Sequence, residues 1–225
     1  LLINEEIISD IVQIAEGVYS PLKGFMDLNQ IDSVLNNNVL LSNIPWTLPI
    51  IFQLNKNEIK RLPEKGEIII KSKIDNQPVG VINIQSIEKI DNMHKTALQW
   101  FQTDDSKHPG VKRFFDSGEY ILSGETYLFK EYRQKTKNDY EFSPKNTREI
   151  FYQNGWHNII GFHTRNIPHK GHEYIQKLAL EKSSSDAILI SPVTGLKKKG
   201  DFTAEIIIKC YEILIRQGCY SPSGV

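Results

Sequence analysis

Residues 163–172 concentrate side chains that can bind an anion. They read His-Thr-Arg-Asn-Ile-Pro-His-Lys-Gly-His, so one arginine, one lysine and three histidines fall within ten positions. An apolar run at 158–162 precedes them, and residues 173–180 carry apolar side chains at helical spacing. The order strand, loop, helix puts the polar residues at a helix N-terminus, whose free N–H groups and partial positive charge favour phosphate. The sequence therefore predicts a local anion site.

The spacing of His169 and His172 suits a shared ligand. If the helix begins near His169, residues three apart lie on one face of its first turn, and both imidazoles can reach one phosphate chain. Gly171 removes a side chain where a ligand must approach the backbone closely. Two histidines without a third ligand do not make a zinc site, and a Gly-rich loop ending in Lys-Ser or Lys-Thr, typical of a P-loop, is absent.

No Ser-His or Cys-His pairing indicates a covalent nucleophile. The chemistry that remains is catalysis by positioning and charge. A nucleoside triphosphate and a second anion would be held in line, and donors would stabilise the negative charge that spreads in the transition state. Arginine suits this role because its planar fork of donors matches a tetrahedral oxyanion.

The composition of the 225 residues limits the function classes. Lys and Arg together number 27, as do Asp and Glu, so no overall field draws nucleic acid or an anionic membrane. No apolar run approaches the roughly 20 residues that span a bilayer, and the start lacks the basic residues of a signal peptide. Cys210 and Cys219 are predicted to be reduced thiols. We expect a cytoplasmic protein without nucleic-acid or membrane partners.

The first part of the chain, residues 1–142, has the pattern of a small β-barrel or curled sheet. Several short runs rich in branched residues occur without helices between many of them. His108, in a His-Pro-Gly sequence, is predicted to lie in a turn, where a lone histidine is more often structural than catalytic. The predicted strands are 48–54, 67–71, 79–84 and 118–129, and the predicted helices are 7–14, 28–35 and 91–101.

The second part, residues 143–225, has an α/β pattern. A helix is predicted at 145–154, with Ser143 as its cap and Pro144 at its first position. A second apolar run at 186–193 follows the helix after the anion loop, so the two strands should be parallel. Ligands lie beyond the carboxyl ends of such strands. The lysine-rich loop 194–201 should therefore complete the anion site, ahead of a helix at 203–217.

The pattern His-Thr-Arg-Asn-x-x-His-x-x-His at residues 163–172 resembles the nucleotide site of the sulfate adenylyltransferase, or ATP sulfurylase, family. His-x-Gly-His alone would indicate only a wider superfamily of nucleotidyltransferases, and the attached Thr-Arg-Asn makes the pattern more specific. Similarity to motifs of the family extends to three other stretches: 19–26, 105–111 and 193–201.

The resemblance implies a PUA-like β-barrel domain followed by a Rossmann-like parallel α/β nucleotidyltransferase domain that is incomplete at its C-terminus. It also implies that sulfate attacks the α-phosphorus of MgATP directly, giving adenylyl sulfate and pyrophosphate. We expect a homo-oligomer and no metal ligand from the chain itself. The implied catalytic residues are Thr164, Arg165 and Asn166; the sulfate-binding residues are His163 and Arg165; the ATP-binding residues are His163, Arg165, Asn166, His169 and His172.

The sequence departs from the family pattern at three points. Pro168 lies one position later than the family's proline, and His163 stands where glutamine is frequent, which makes a pH-dependent sulfate affinity an expectation. The family's later Gly-Arg-Asp loop has no match, so we expect a fragment. Two alternatives stay open: a nucleotidyltransferase with another acceptor, and a non-catalytic PUA-like module that binds RNA.

Overall fold

The computed structural model describes residues 1–137, 139–193 and 200–220. The chain divides into two compact units, Leu1–Lys145 and Asn146–Val225. We expected a domain boundary between residues 142 and 143, and that placement stays a prediction; the compact units divide three residues later. Within the described ranges, no helix is both long and apolar enough to cross a bilayer.

The first unit is built on a six-stranded, mostly antiparallel sheet. Its described strands are β1 Leu2–Ile3, β2 Gly24–Phe25, β3 Gln53–Leu54, β4 Gly66–Ser72, β5 Pro78–Lys89 and β6 Tyr120–Leu128; its helices are α1 Glu5–Ala15, α2 Leu28–Asn37, α3 Lys56–Ile59, α4 Met93–Phe101, α5 Pro109–Asp116 and α6 Lys130–Thr136. The strand order is β1-β4-β5-β6-β2, and β3 also pairs with β6. β1 runs parallel to β4, and the long strands β4, β5 and β6 are antiparallel neighbours.

The core of this unit lies between the sheet and its helices. β-Branched residues alternate along the strands, and Ile70, Ile82 and Ile121 are fully buried from three neighbouring strands. The apolar face of α1 packs into the same core through Ile8 and Ile11. Burying each such side chain contributes roughly 1.5–3 kcal/mol, which explains why the sequence pattern of 1–142 folds as one β-rich unit.

Two segments differ from the sequence-based expectation. Of the apolar run 48–54 only Gln53–Leu54 forms a strand; Ile50 and Phe52 are nevertheless buried, and their carbonyl groups accept hydrogen bonds from Met26 N and Leu122 N. The polar segment at 130–145, expected to be a connector, begins with the helix α6. Its Arg133 bonds the carboxylates of Glu16 at 2.6 Å and Glu141 at 2.7 Å. The pair with Glu16 spans 117 positions, so it cannot be read from local composition.

His108 is the N-cap of α5, not part of a Pro-Gly turn. Its Nδ1 accepts a hydrogen bond from Val111 N at 3.4 Å, and Pro109 occupies the first helical turn. Proline suits that position because its missing N–H would have no intrahelical partner there. The geometry gives His108 a structural role.

Asp10 gives the first unit a pH-dependent stability. Burial raises the pKa of its carboxyl to about 6, although the hydrogen bond from Tyr19 Oη at 3.4 Å opposes the rise, and nearby Glu6 adds to it. The folded protein therefore holds this proton more tightly than the unfolded chain does. The stability that this bound proton contributes is complete below pH 3.8, the pKa of the carboxyl in the unfolded chain. It is lost as the pH rises through about 6, the pKa in the folded protein.

We expect Asp10→Asn to raise the melting temperature at pH 7.5 by about 2–4 °C, because the amide is neutral and can still accept from Tyr19. At pH 3.5 the variant should have no such advantage. Circular dichroism melts at both pH values measure this. Asp32→Asn, at an exposed helical position, is the matched control and should melt like the parent. An unchanged melting temperature for Asp10→Asn at pH 7.5 would contradict the assignment.

The second unit contains a parallel strand pair with a crossover helix. Its elements are α7 Pro144–Gln153, which begins just before the division, then β7 Ile159–Thr164, α8 Lys170–Ser183, β8 Ala187–Pro192 and α9 Ala204–Arg216. β7 and β8 are parallel, with Ile159 opposite Ala187 and Thr164 opposite Pro192. This confirms the predicted order of strand, helix and strand. β7 is longer than expected, so His163 and Thr164 belong to the strand and not to the loop.

Candidate functional site

The carboxyl ends of β7 and β8 lie side by side. Thr164 is opposite Pro192 in the register, and Val193 N donates to Thr164 O at 2.8 Å just beyond the last pair. The residues that follow each strand therefore leave the sheet at one edge. This is the edge at which parallel α/β sheets bind ligands.

Thr164 fixes the turn that follows β7. Its side chain is buried, and its Oγ1 accepts a hydrogen bond from Asn166 N and donates one to Asn166 O, both at 3.2 Å. Side chains alternate between the faces of a strand, so His163 projects to the face opposite Thr164 and is exposed. The structure thus joins Thr164, Arg165 and Asn166 in one turn. His163 lies on the opposite face of β7 from Thr164.

Arg165 is paired with a carboxylate from the second loop. Its Nη2 donates to Asp201 Oδ1 at 2.9 Å, while half of the arginine side chain, 51%, stays exposed. The pair joins residues 36 positions apart, as expected if both loops lie at one sheet edge. Residues 194–199 lie outside the residues that the structure describes. They include the three lysines, 197–199, that we expected to complete the anion site. The sequence did not indicate that Asp201 belongs to the site, because a single acidic residue at the end of a basic loop is a weak signal.

His169 is the N-cap of α8. Its backbone is extended and its Nδ1 accepts a hydrogen bond from Gly171 N at 3.1 Å. Because Nδ1 is an acceptor, the ring proton of the neutral imidazole is assigned to Nε2, which is left to donate to a ligand. A Cβ on Gly171 would lie 3.0 Å from the His169 ring, so glycine permits the close contact.

His172 stacks on His169. Their ring centroids are 3.9 Å apart with an angle of 23° between the planes, and the edge of Phe162 packs on His172 at 5.7 Å. This confirms the expectation that residues three apart on α8 present both imidazoles together. His172 Nδ1 is buried and has no hydrogen-bond partner among the described residues.

The chain does not present a metal cage in the part that the structure describes. Residues 1–137, 139–193 and 200–220 contain no group of three or more His, Cys, Asp or Glu side chains that could hold a metal ion. The site is instead rich in donors: a guanidinium, two imidazoles and the first N–H groups of α8. Donors of this kind are suited to binding an anion and to stabilising negative charge.

Comparison with known proteins gives two family matches. Residues 1–131 match the PUA-like domain family, and residues 138–225 match the ATP-sulfurylase family. Sulfate adenylyltransferases from Ignicoccus hospitalis and Pyrococcus abyssi are 39% and 38% identical to the chain over 95% and 96% of its length. One from Microcystis aeruginosa is 34% identical over 95%. The chain spans about half of these relatives, 54% of each.

A solved structure of a hexameric APS kinase from Thiobacillus denitrificans has the same fold. It superimposes with a TM-score of 0.68 over 96% of the chain and 38% of its own length, at 17% sequence identity. The expected fold class, a PUA-like β unit followed by an α/β unit with parallel strands, is confirmed. The first 131 residues are a PUA-like domain, and residues 138–225 belong to the ATP-sulfurylase family.

Proposed function

We propose that the protein is a sulfate adenylyltransferase that transfers AMP from ATP to sulfate. The observation that carries this is the grouping of Arg165, the Thr164–Asn166 turn and the stacked His169 and His172 at one end of a parallel strand pair, in a chain of the ATP-sulfurylase family. Relatives that carry this name are 39% and 38% identical to the chain over the aligned region, which is 54% of their own length.

The proposed reaction needs no covalent intermediate. A sulfate oxygen attacks the α-phosphorus of ATP, a new S–O–P linkage forms, and the bond from the α-phosphorus to the bridging oxygen breaks, releasing pyrophosphate. Arg165, and His163 from the other face of β7, would bind sulfate. The proposed contacts to the nucleotide are Thr164 and Asn166 at the α-phosphate, and His169 and His172 at the other phosphates, with His163 and Arg165 also close to ATP.

Asp201 would keep Arg165 oriented before substrates bind. Arginine has five N–H donors, and the pair with Asp201 uses Nη2, so further donors stay available for an anion. The half-exposed side chain leaves room for sulfate to bind. An arginine that is already oriented loses less conformational entropy when the anion binds.

Mg²⁺ would enter with ATP. It prefers phosphate oxygens, water and one or two carboxylates over a cage of protein ligands. When bound, it would neutralise charge on the phosphates. A homo-oligomer and a cytoplasmic location stay predictions; the structural neighbour is itself described as hexameric.

Exchange of labelled pyrophosphate into ATP tests the proposal. We expect exchange by the full-length protein that depends on both sulfate and Mg²⁺, because the reverse reaction requires adenylyl sulfate made in the forward one. Omission of sulfate is the matched control and should stop the exchange. Exchange with another anion or an alcohol, but not with sulfate, would favour a different nucleotidyltransferase and contradict the proposal.

RNA binding is the second candidate function, and it can be tested with the same protein. PUA-like domains occur in RNA-binding proteins, but the chain has zero net charge and so lacks an overall field for a polyanion. Filter binding of RNA at 50 and 200 mM salt should detect no steeply salt-dependent complex.

A further inference from the structure

The ion pair between Arg165 and Asp201 decides which donors of the arginine remain for an anion. Nη2 of Arg165 donates to Asp201 Oδ1 at 2.9 Å. A guanidinium group has two edges that each present a pair of N–H groups, Nε with Nη2 and Nη1 with Nη2. Nη2 carries one hydrogen for each edge. Whichever of the two Asp201 accepts, the other edge therefore keeps both of its donors for an oxyanion.

The same pair places a negative charge beside the anion site. The side chain of Asp201 is 17% exposed and that of Arg165 is 51% exposed, so the carboxylate is the more buried partner and water screens it incompletely. An anion on the open edge would share one guanidinium group with this carboxylate, well inside the Debye length of about 8 Å at physiological salt. Arg165 thus offers an anion two directed donors but less than a full net positive charge.

Sulfate loses negative charge as it reacts in the proposed direction. Free sulfate carries two negative charges, whereas the sulfate group of adenylyl sulfate carries one, because one of its oxygens enters the S–O–P linkage. Excess positive charge at the sulfate site therefore stabilises the bound substrate more than the transition state. Only interactions that are stronger in the transition state speed the chemical step, so an unbalanced arginine would bind sulfate more tightly and slow its attack.

We propose that Asp201 balances the charge of Arg165, so that the arginine aligns sulfate through two hydrogen bonds without over-stabilising the dianion. Asp201 has this role only if sulfate is the attacking group, so the inference rests on the proposed function. Charge balance is a stronger requirement than orientation of the arginine. Orientation needs only a hydrogen-bond acceptor at position 201, whereas charge balance needs a carboxylate. Asp201 acts through Arg165 and is therefore a positioning residue.

Asp201→Asn separates charge from orientation, because the asparagine Oδ1 can still accept from Nη2 but carries no charge. In the full-length protein we expect KM for sulfate to fall about three- to tenfold and kcat for sulfate-dependent release of pyrophosphate to fall at least as much. KM for ATP should change by less than about twofold, because the added charge acts at the sulfate site. Asp201→Ala also removes the acceptor, so its kcat should fall further than that of Asp201→Asn.

Glu212→Gln is the matched control. It makes the same change from carboxylate to amide at the partner of another arginine in the same compact unit, Arg216, whose Nη2 lies 3.5 Å from Glu212 Oε2. This variant should keep the KM and kcat of the parent. The effect of Asp201→Asn on KM for sulfate should also be smaller at about 500 mM salt than at about 50 mM, because salt screens the unbalanced charge. A purely structural role for Asp201 would not lower KM.

Two results would overturn the inference: a KM for sulfate in Asp201→Asn that equals or exceeds that of the parent, or a kcat that does not fall. Failure of the proposed function gives a different result. A parent protein without sulfate-dependent release of pyrophosphate contradicts the activity itself. An active parent whose Asp201→Asn variant has the same KM and kcat contradicts charge balance alone.

Discussion

Arg165→Ala is expected to lower sulfate-dependent turnover by about 100- to 1,000-fold, because the variant loses the charged donors that would hold sulfate and stabilise the transition state. Both a higher KM for sulfate and a lower kcat should be seen in the pyrophosphate exchange assay. The fold should stay nearly intact. The ion pair with Asp201 is half exposed, and such pairs contribute less than about 1 kcal/mol.

Two further variants sharpen this test. Arg165→Lys keeps the charge but not the planar fork, so it should recover only part of the lost activity. Arg216→Ala is the matched control: it removes another paired arginine of the same compact unit, at the far end of α9. That variant should turn over like the parent. Equal activity in Arg165→Ala and the parent would remove Arg165 from the site.

His169 caps α8 and is proposed to donate to a phosphate of ATP, and two substitutions can separate these functions. Asparagine is among the best N-cap residues, so His169→Asn should keep the cap bond to Gly171 N and the parent melting temperature. It removes the ring whose Nε2 would donate to a phosphate of ATP. We expect at least a roughly 100-fold loss of ATP-dependent turnover.

His169→Ala should lose activity to the same extent and also about 1 kcal/mol of stability, because it removes the cap. Urea denaturation and pyrophosphate exchange, measured on both variants, give the two quantities separately. His108→Asn is the matched control, since it makes the same change at a histidine that caps α5. It should keep both activity and stability. Parent-like activity in His169→Asn would reduce His169 to a helix cap.

Much of the candidate site could be predicted from local spacing. An apolar run followed by a helical repeat predicted β7 and α8, and three-residue spacing predicted that His169 and His172 share a face. These features depend on residues within one or two turns of each other. The motif at 163–172, which links the chain to its family, is equally local.

The partners of the site residues could not be predicted in the same way. Asp201 pairs with Arg165 from 36 positions away in the sequence, and Arg133 pairs with Glu16 from 117 positions away. α6 was missed because its charged composition is typical of a surface connector as much as of a helix. Gln176 on α8 is only 1% exposed, which its sequence context does not predict, since a glutamine on an amphipathic helix is usually exposed.

The sequence by itself determined the order of elements, the polar segment between β7 and α8 and the shared face of the two histidines, because periodicity and helix-end chemistry act over a few residues. Only the tertiary structure decided that His163 leaves β7 on the opposite face from Thr164 and that Asp201 pairs with Arg165. Those contacts follow from how β7, β8 and α9 pack, and packing selects partners that are far apart in the chain.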